Sequence, residues 1–233
     1  MKRYLPFAII AAVLAAAVGA GAFMIRSAKP TPTPAPLPSE TPVVSQTLLQ
    51  GTETSKNEVL IEEFGDYQCP PCGALHPELK KLKGEFGSKI KFVFHHFPLT
   101  RIHKNAAIAA FAAAAAAQQG KFMEMHNLLY ESQEVWAETD NFAPILVNFA
   151  RQLGLNMEQF EHDINDSKVK GSVLTDVQLG ESRGVTGTPT LFIDGQLIEG
   201  EKLETANLRK EINNRLKAKS QMANSAPSTP GSN

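Results

Sequence analysis

Apolar positions change period several times along the chain, and each change marks an element. Val59, Leu60, Ile61 and Phe64 form a strand-like run interrupted by Glu62 and Glu63. Strand alternation places those two acids on opposite faces, so one is solvated where the other is buried. From Pro70 to about Phe86 the period becomes helical, with Leu75, Leu79, Leu82 and Phe86 inward. Pro77 removes a backbone donor and kinks this helix, and Gly84 and Gly87 end it. His76 is expected to be a solvated helix residue. Ile90, Phe92 and Phe94 then alternate with Lys91, Val93 and His95 in a second strand that continues to Phe97. His95 and His96 are adjacent, face opposite ways, and so cannot chelate one ion together.

From Lys104 to Arg183 the pattern is helical throughout. Ala106 to Ala117 is almost all small residues, a strong helix former that allows close packing and is too short to cross a membrane. Helices are expected at Phe122–Tyr130, Ala143–Leu153, Asn156–Ile164 and Ser167–Arg183. Met123, Met125 and Trp136 fit core packing better than a greasy peptide-binding surface. A short strand follows at Thr190–Asp194, then an Asp194-Gly195 hairpin turn, a return strand at Gln196–Glu199 and a closing helix at Leu203–Leu216.

The ends differ in character. Lys2 and Arg3 precede an apolar run from Leu5 to Ile25, about 31 Å long as a helix against a bilayer core of about 30 Å. Residues 1–26 are therefore a signal anchor or a signal peptide cleaved near Ala20-Gly21-Ala22, and the length favours the anchor. Residues 27–42 form a proline-rich linker of polyproline type, better suited to a spacer than to a PxxP ligand. Residues 43–57 are mixed and polar, with room for a short edge strand. The folded domain is expected at 43–218, and 219–233 are expected to be a disordered tail.

The net charge of -1 gives no sign of nucleic-acid binding. The two cysteines, Cys69 and Cys72, are the only ones in the chain and have the Cys-x-x-Cys spacing of redox-active thiols. A helix beginning at Pro70 puts Cys69 at its N-terminus, where unpaired N–H groups and the macrodipole favour the thiolate. Pro70 and Pro71 lack N–H, so the donors left near the sulfur are those of Cys72 and Gly73. Thiolate stabilisation should therefore be weaker than in a Cys-Pro-His-Cys site. A thiophilic metal held by the pair, as in copper transfer, is an alternative, although two cysteines make a poor closed zinc site.

Cys69-Pro70-Pro71-Cys72 opening a helix resembles the thioredoxin superfamily. Glu63 stands six before Cys69, Pro77 eight after it, and Thr188-Pro189 at the start of a strand, as that superfamily's buried acid, helix proline and cis-proline do. The stretch from Phe97 to Asn105, then Gly120 to His126, resembles the DsbA-type disulfide oxidoreductases, BdbD-like in their helical insertion. The resemblance implies an α/β (α+β) thioredoxin fold with an inserted helical domain at about 104–183. It implies that Cys69 is the exposed sulfur forming mixed disulfides, that Cys72 closes the internal disulfide, and that Glu63, reached by Lys91, moves protons. Thr188, Pro189, Pro70 and Pro71 would shape the peptide groove, with Thr188 offering its hydroxyl to the sulfur. No cofactor or metal is implied. Clients would be unfolded or reduced secreted proteins, and recycling would need a membrane oxidase of the DsbB or VKOR type. The setting would be extracytoplasmic, in the periplasm or cell envelope. Reductase or isomerase work on the same fold stays open, since the Pro-Pro dipeptide does not set the direction of electron flow.

Overall fold

The computed structural model describes residues 57–225. The apolar segment 5–25, the proline-rich stretch and nearly all of 43–57 lie outside them. The strands are β1 (Val59–Gly65), β2 (Ile90–His96), β3 (Thr190–Ile193) and β4 (Gln196–Ile198). They form one sheet in the order β2-β1-β3-β4. The β1/β2 pair is parallel and the other two pairs are antiparallel. Helix α1 (Pro70–Phe86) links β1 to β2. Between β2 and β3 lie α2 (Ala106–Ala117), α3 (Phe122–Glu131), α4 (Gln133–Trp136), α5 (Ala143–Gln152), α6 (Met157–Asp163) and α7 (Ser167–Ser182). Helix α8 (Thr205–Ser225) follows β4. This is the expected α/β arrangement with a helical insertion inside it.

The period-2 pattern of β1 buries both sides of the sheet. Val59 and Ile61, with Leu191 and Ile193 of β3, pack against Leu79 and Leu82 of α1 and Leu208 and Ile212 of α8. On the opposite face Phe64 and Phe192 pack with Phe97 and Val185 and against Val177 and Leu179. Gly180 permits the close approach of α7, since a Cβ there would sit 2.8 Å from the Phe97 ring. The insertion has its own core of Met125, Leu129, Trp136, Leu146, Phe149 and Phe160 around the alanines of α2. Each such large side chain stabilises the fold by about 1.5–3 kcal/mol on burial. Trp136 is fully buried and its Nε1 donates to the Leu129 carbonyl at 2.8 Å, as its core assignment requires.

Several expectations change. Gly84 lies inside α1, which ends at the Gly87 cap. β2 stops at His96 and β4 at Ile198. α8 runs past Leu216 to Ser225, so 219–225 are helical and not part of a disordered tail. The cause is polar: Lys219 Nζ donates to Glu58 O and to Asp194 Oδ1 at 2.8 Å, and Arg215 pairs with Asp194 and Glu211. Apolar periodicity does not register such ties. His76 is buried, not solvated; its ring stacks on Tyr130 with centroids 5.0 Å apart. Lys91 pairs with Leu60, three positions before Glu63, and so belongs to the other face of the sheet. Among the described residues no helix is long and apolar enough to cross a membrane.

Candidate active site

β1 delivers the chain at Gly65 into the loop Asp66-Tyr67-Gln68, and Cys69 is the N-cap of α1 with prolines at the first helical positions. Proline is tolerated there because those N–H groups would lack helical partners anyway. The loop is held by side chains from far along the chain. The Asp66 carboxylate accepts from Gln68 N at 2.8 Å and Leu99 N at 2.9 Å, and His103 Nδ1 lies 2.6 Å from it. Gln68 donates to Ala137 O at 2.5 Å and accepts from Asn105 N at 2.6 Å. Gln133 donates to the carbonyls of Tyr67 at 2.6 Å and Cys69 at 3.0 Å. The inserted lobe thus supplies hydrogen bonds that fix the loop carrying the sulfur.

Both cysteines are free thiols. Cys69 keeps 4% of its surface and Cys72 none, so the expected exposed sulfur is only marginally open and the order of access is retained. Pro70 and Pro71 are exposed beside it. The Thr188–Pro189 peptide bond is cis, and Cys69 Sγ donates to the Thr188 carbonyl at 3.3 Å. The Thr188 hydroxyl is buried with no hydrogen-bond partner. The Cys69 thiol is held down at about 6, chiefly by the Cys72 thiol, against the upward push of burial, with help from Thr188 and the Cys72 backbone N–H. The Gly73 N–H is used elsewhere, donating to the Cys69 carbonyl at 3.1 Å. Burial pushes the Cys72 thiol strongly upward, and the neighbouring Cys69 and Glu63 add to it. One sulfur is therefore an anion at neutral pH, with a narrow opening to solvent, and its partner stays protonated.

Glu63 is 2% exposed and its Oε1 has no partner. Burial, with a smaller push from Cys69, raises its carboxyl to about 8. Glu62 faces the other way and pairs with Arg183 at 2.7 Å and with His95 at 3.4 Å. Beside Glu63, on the face of β2 carrying Phe94 and His96, lies a ring cluster of Tyr67, Phe94, His126 and Tyr130.

A family model described as thioredoxin matches residues 44–214. The chain belongs to the thioredoxin family. Its fold is shared with solved structures of DsbA-type proteins. A thioredoxin-like oxidoreductase from Silicibacter pomeroyi has a TM-score of 0.57 and 25% identity, over 70% of this chain and 88% of that one. Oxidised BdbD from Bacillus subtilis has a TM-score of 0.62 at 22% identity, over 70% and 90%. Wolbachia pipientis alpha-DsbA1 has 0.61 at 22%, over 73% and 92%. A sequence relative of another name, the Na(+)/H(+) antiporter NhaA 3 of Salinispora tropica, is 36% identical over 142 residues. That match takes in 61% of this chain and 21% of the antiporter, so the chain spans about a fifth of the length of such curated relatives.

In this thioredoxin-family site, Cys69, Cys72, Thr188 and Pro189 lie together, Pro70 and Pro71 border them, and Glu63 is buried behind. Asp66, Gln68, His103, Asn105 and Gln133 escaped the sequence. The available signal was two polar residues, Asp66 and Gln68, inside a segment whose neighbours Phe64, Tyr67 and Cys69 are all buried. Such groups need partners, but nothing in the chain names them.

Proposed function

We propose that the protein is an exported thiol–disulfide oxidoreductase that forms disulfides in secreted or envelope proteins through Cys69 and Cys72. The observation that carries this is a single one: a thiol held at about 6 whose sulfur touches the Thr188 carbonyl beside a cis-proline. In the oxidised enzyme a client thiolate attacks Cys69 Sγ. The Cys69–Cys72 bond breaks, and Cys72 leaves with the electron pair. It takes up a proton, which the buried Glu63 carboxyl is placed to relay. A second client thiolate attacks the client sulfur of the mixed disulfide and releases Cys69 as a thiolate. Two electrons and two protons have left the client and the enzyme holds two reduced sulfurs. A low-pKa Cys69 is the better leaving group, which favours this direction. In the oxidised form Cys69 carries no proton, so the Thr188 carbonyl is free to accept from an extended client backbone.

Reoxidation needs an electron acceptor, and a membrane oxidase suits an enzyme tethered by the segment 1–26. The antiporter names of the curated relatives belong to proteins several times longer than the matched stretch and are not carried over. Equilibration with glutathione tests the proposal. A Cys69/Cys72 potential less negative than about -200 mV supports oxidation of clients, whereas one near -270 mV would mark a reductant and overturn it. Cys72→Ser should trap mixed disulfides with a reduced, unfolded test protein, and Cys69→Ser should form none.

A further inference from the structure

A cavity of about 300 Å³ opens between α1 and α3 over β2. His76 begins its lining, seven residues beyond Cys69 or about 10 Å along the helix, and Lys83 lies at about 21 Å. Neither cysteine lines the cavity, although Cys72 stands one helical turn before His76. Leu79, Phe92 and Met123 give its lining apolar surface, alongside the His76 and His126 rings. Both rings are neutral at physiological pH, because burial pushes their pKa values down. The charge is at the rim. Lys80 pairs with Glu131 at 2.6 Å, while the Lys83 ammonium has its contact with the Phe92 ring, 5.9 Å from the centroid. His76 Nε2 has no hydrogen-bond partner, and its nearest acid is Glu131 at 4.0 Å. Gly84 also lines the cavity; a Cβ added there would meet nothing within 4 Å. A glycine inside a helix costs about 1 kcal/mol relative to alanine, and here its missing side chain leaves the cavity unobstructed.

We propose that this cavity binds a small arylalkyl carboxylate, with the aromatic group against Leu79, Phe92 and Met123 and the carboxylate toward Lys83. The two positive charges against one acid favour an anion, and the flat rings of Phe92, His76 and His126 favour an aryl group over a branched one. The proposal goes beyond disulfide exchange and does not depend on it. Its readout is binding, so it can fail while the exchange activity stands, and the reverse.

The test is calorimetric titration of the whole protein with 4-phenylbutyrate, alongside 4-phenylbutyramide, which has the same shape without the charge. The expected result is saturable binding with a Kd below about 1 mM and at least tenfold weaker binding of the amide. Both measurements use the unmodified chain, so no variant has to fold. Lys83→Glu should weaken binding of the acid at least tenfold. Gly84→Leu should abolish binding with a melting temperature equal to or above that of the parent, because leucine fills the opening and favours the helix. No saturation up to about 10 mM, equal affinity for acid and amide, or undiminished binding by Gly84→Leu would each overturn the proposal.

Discussion

At Glu63 the surroundings and not the residue type decide the chemistry. The folded carboxyl keeps its proton to about 8, against an ordinary 4.5. Between those values the unfolded chain binds fewer protons than the folded one, so stability falls as pH rises across that window. Glu63→Gln removes the dependence. The variant should gain on the parent by about 4 kcal/mol between about pH 5 and pH 8, measured by urea unfolding of both reduced proteins at both values. Cys69 works with the opposite sign. Its thiol is depressed from 9.0 to about 6, so reduced protein gains stability as pH rises above about 6 and loses it as pH falls through that value. Thiolate absorbance of the reduced protein should titrate with a midpoint near 6, while Cys72 stays protonated far above it.

The elements meet through a few side chains whose contribution is separable from core packing. α4 is four residues long, too short to be stable as an isolated helix. It is kept in place by Trp136 in the core and by Gln133 on the carbonyls of Tyr67 and Cys69. Gly73 makes the second contact possible, because a Cβ there would lie 2.4 Å from Gln133 Oε1. Gln133→Ala takes the side-chain donor from the Tyr67 carbonyl and leaves the Cys69 carbonyl with the Gly73 N–H alone, and should cost about 1–3 kcal/mol. Glu134→Ala, at the next and exposed position, should stay within about 0.5 kcal/mol. Equal melting temperatures for the two variants would show that α4 does not latch the active-site loop.

Across the whole molecule, the insertion and the sheet are joined by a buried ionic network. His95 Nδ1 lies 3.3 Å from Asp176 Oδ1 of α7, and the His96 backbone donates to Asp176 Oδ2 at 3.1 Å. Burial opposes charge on His95, but Asp176 and Glu62 outweigh it and raise its pKa. Burial likewise opposes the Glu62 carboxylate, yet His95 and Arg183 hold it at about 2. Glu62 therefore contributes stability above about 4.5 that is lost as pH falls towards 2. His95 contributes below about 6.5 and loses it as pH rises through its raised folded value. Asp176→Ala removes one of the two acids on His95 and the acceptor of the His96 N–H, and should cost about 1–3 kcal/mol, with a weaker decline on the alkaline side, measured by denaturation across pH.

The sequence by itself determined the strands at Val59 and Ile90, the helix opening at Pro70 and the cysteine pair at its start. These rest on local facts: alternation, 3.6-residue spacing, and prolines that suit the first turn. The buried acid and the distant cis-proline were legible only through the family resemblance, since a strand with Glu62 and Glu63 side by side does not say which face is dry. Tertiary structure alone decided the rest. Register removed Lys91 from Glu63, packing buried His76, ion pairs on Asp194 carried α8 to Ser225, and the fold brought Gln133 and His103 to a loop more than thirty residues away. Period reports whether a position is buried; which groups are buried together depends on the closure of long loops, and that information is not local.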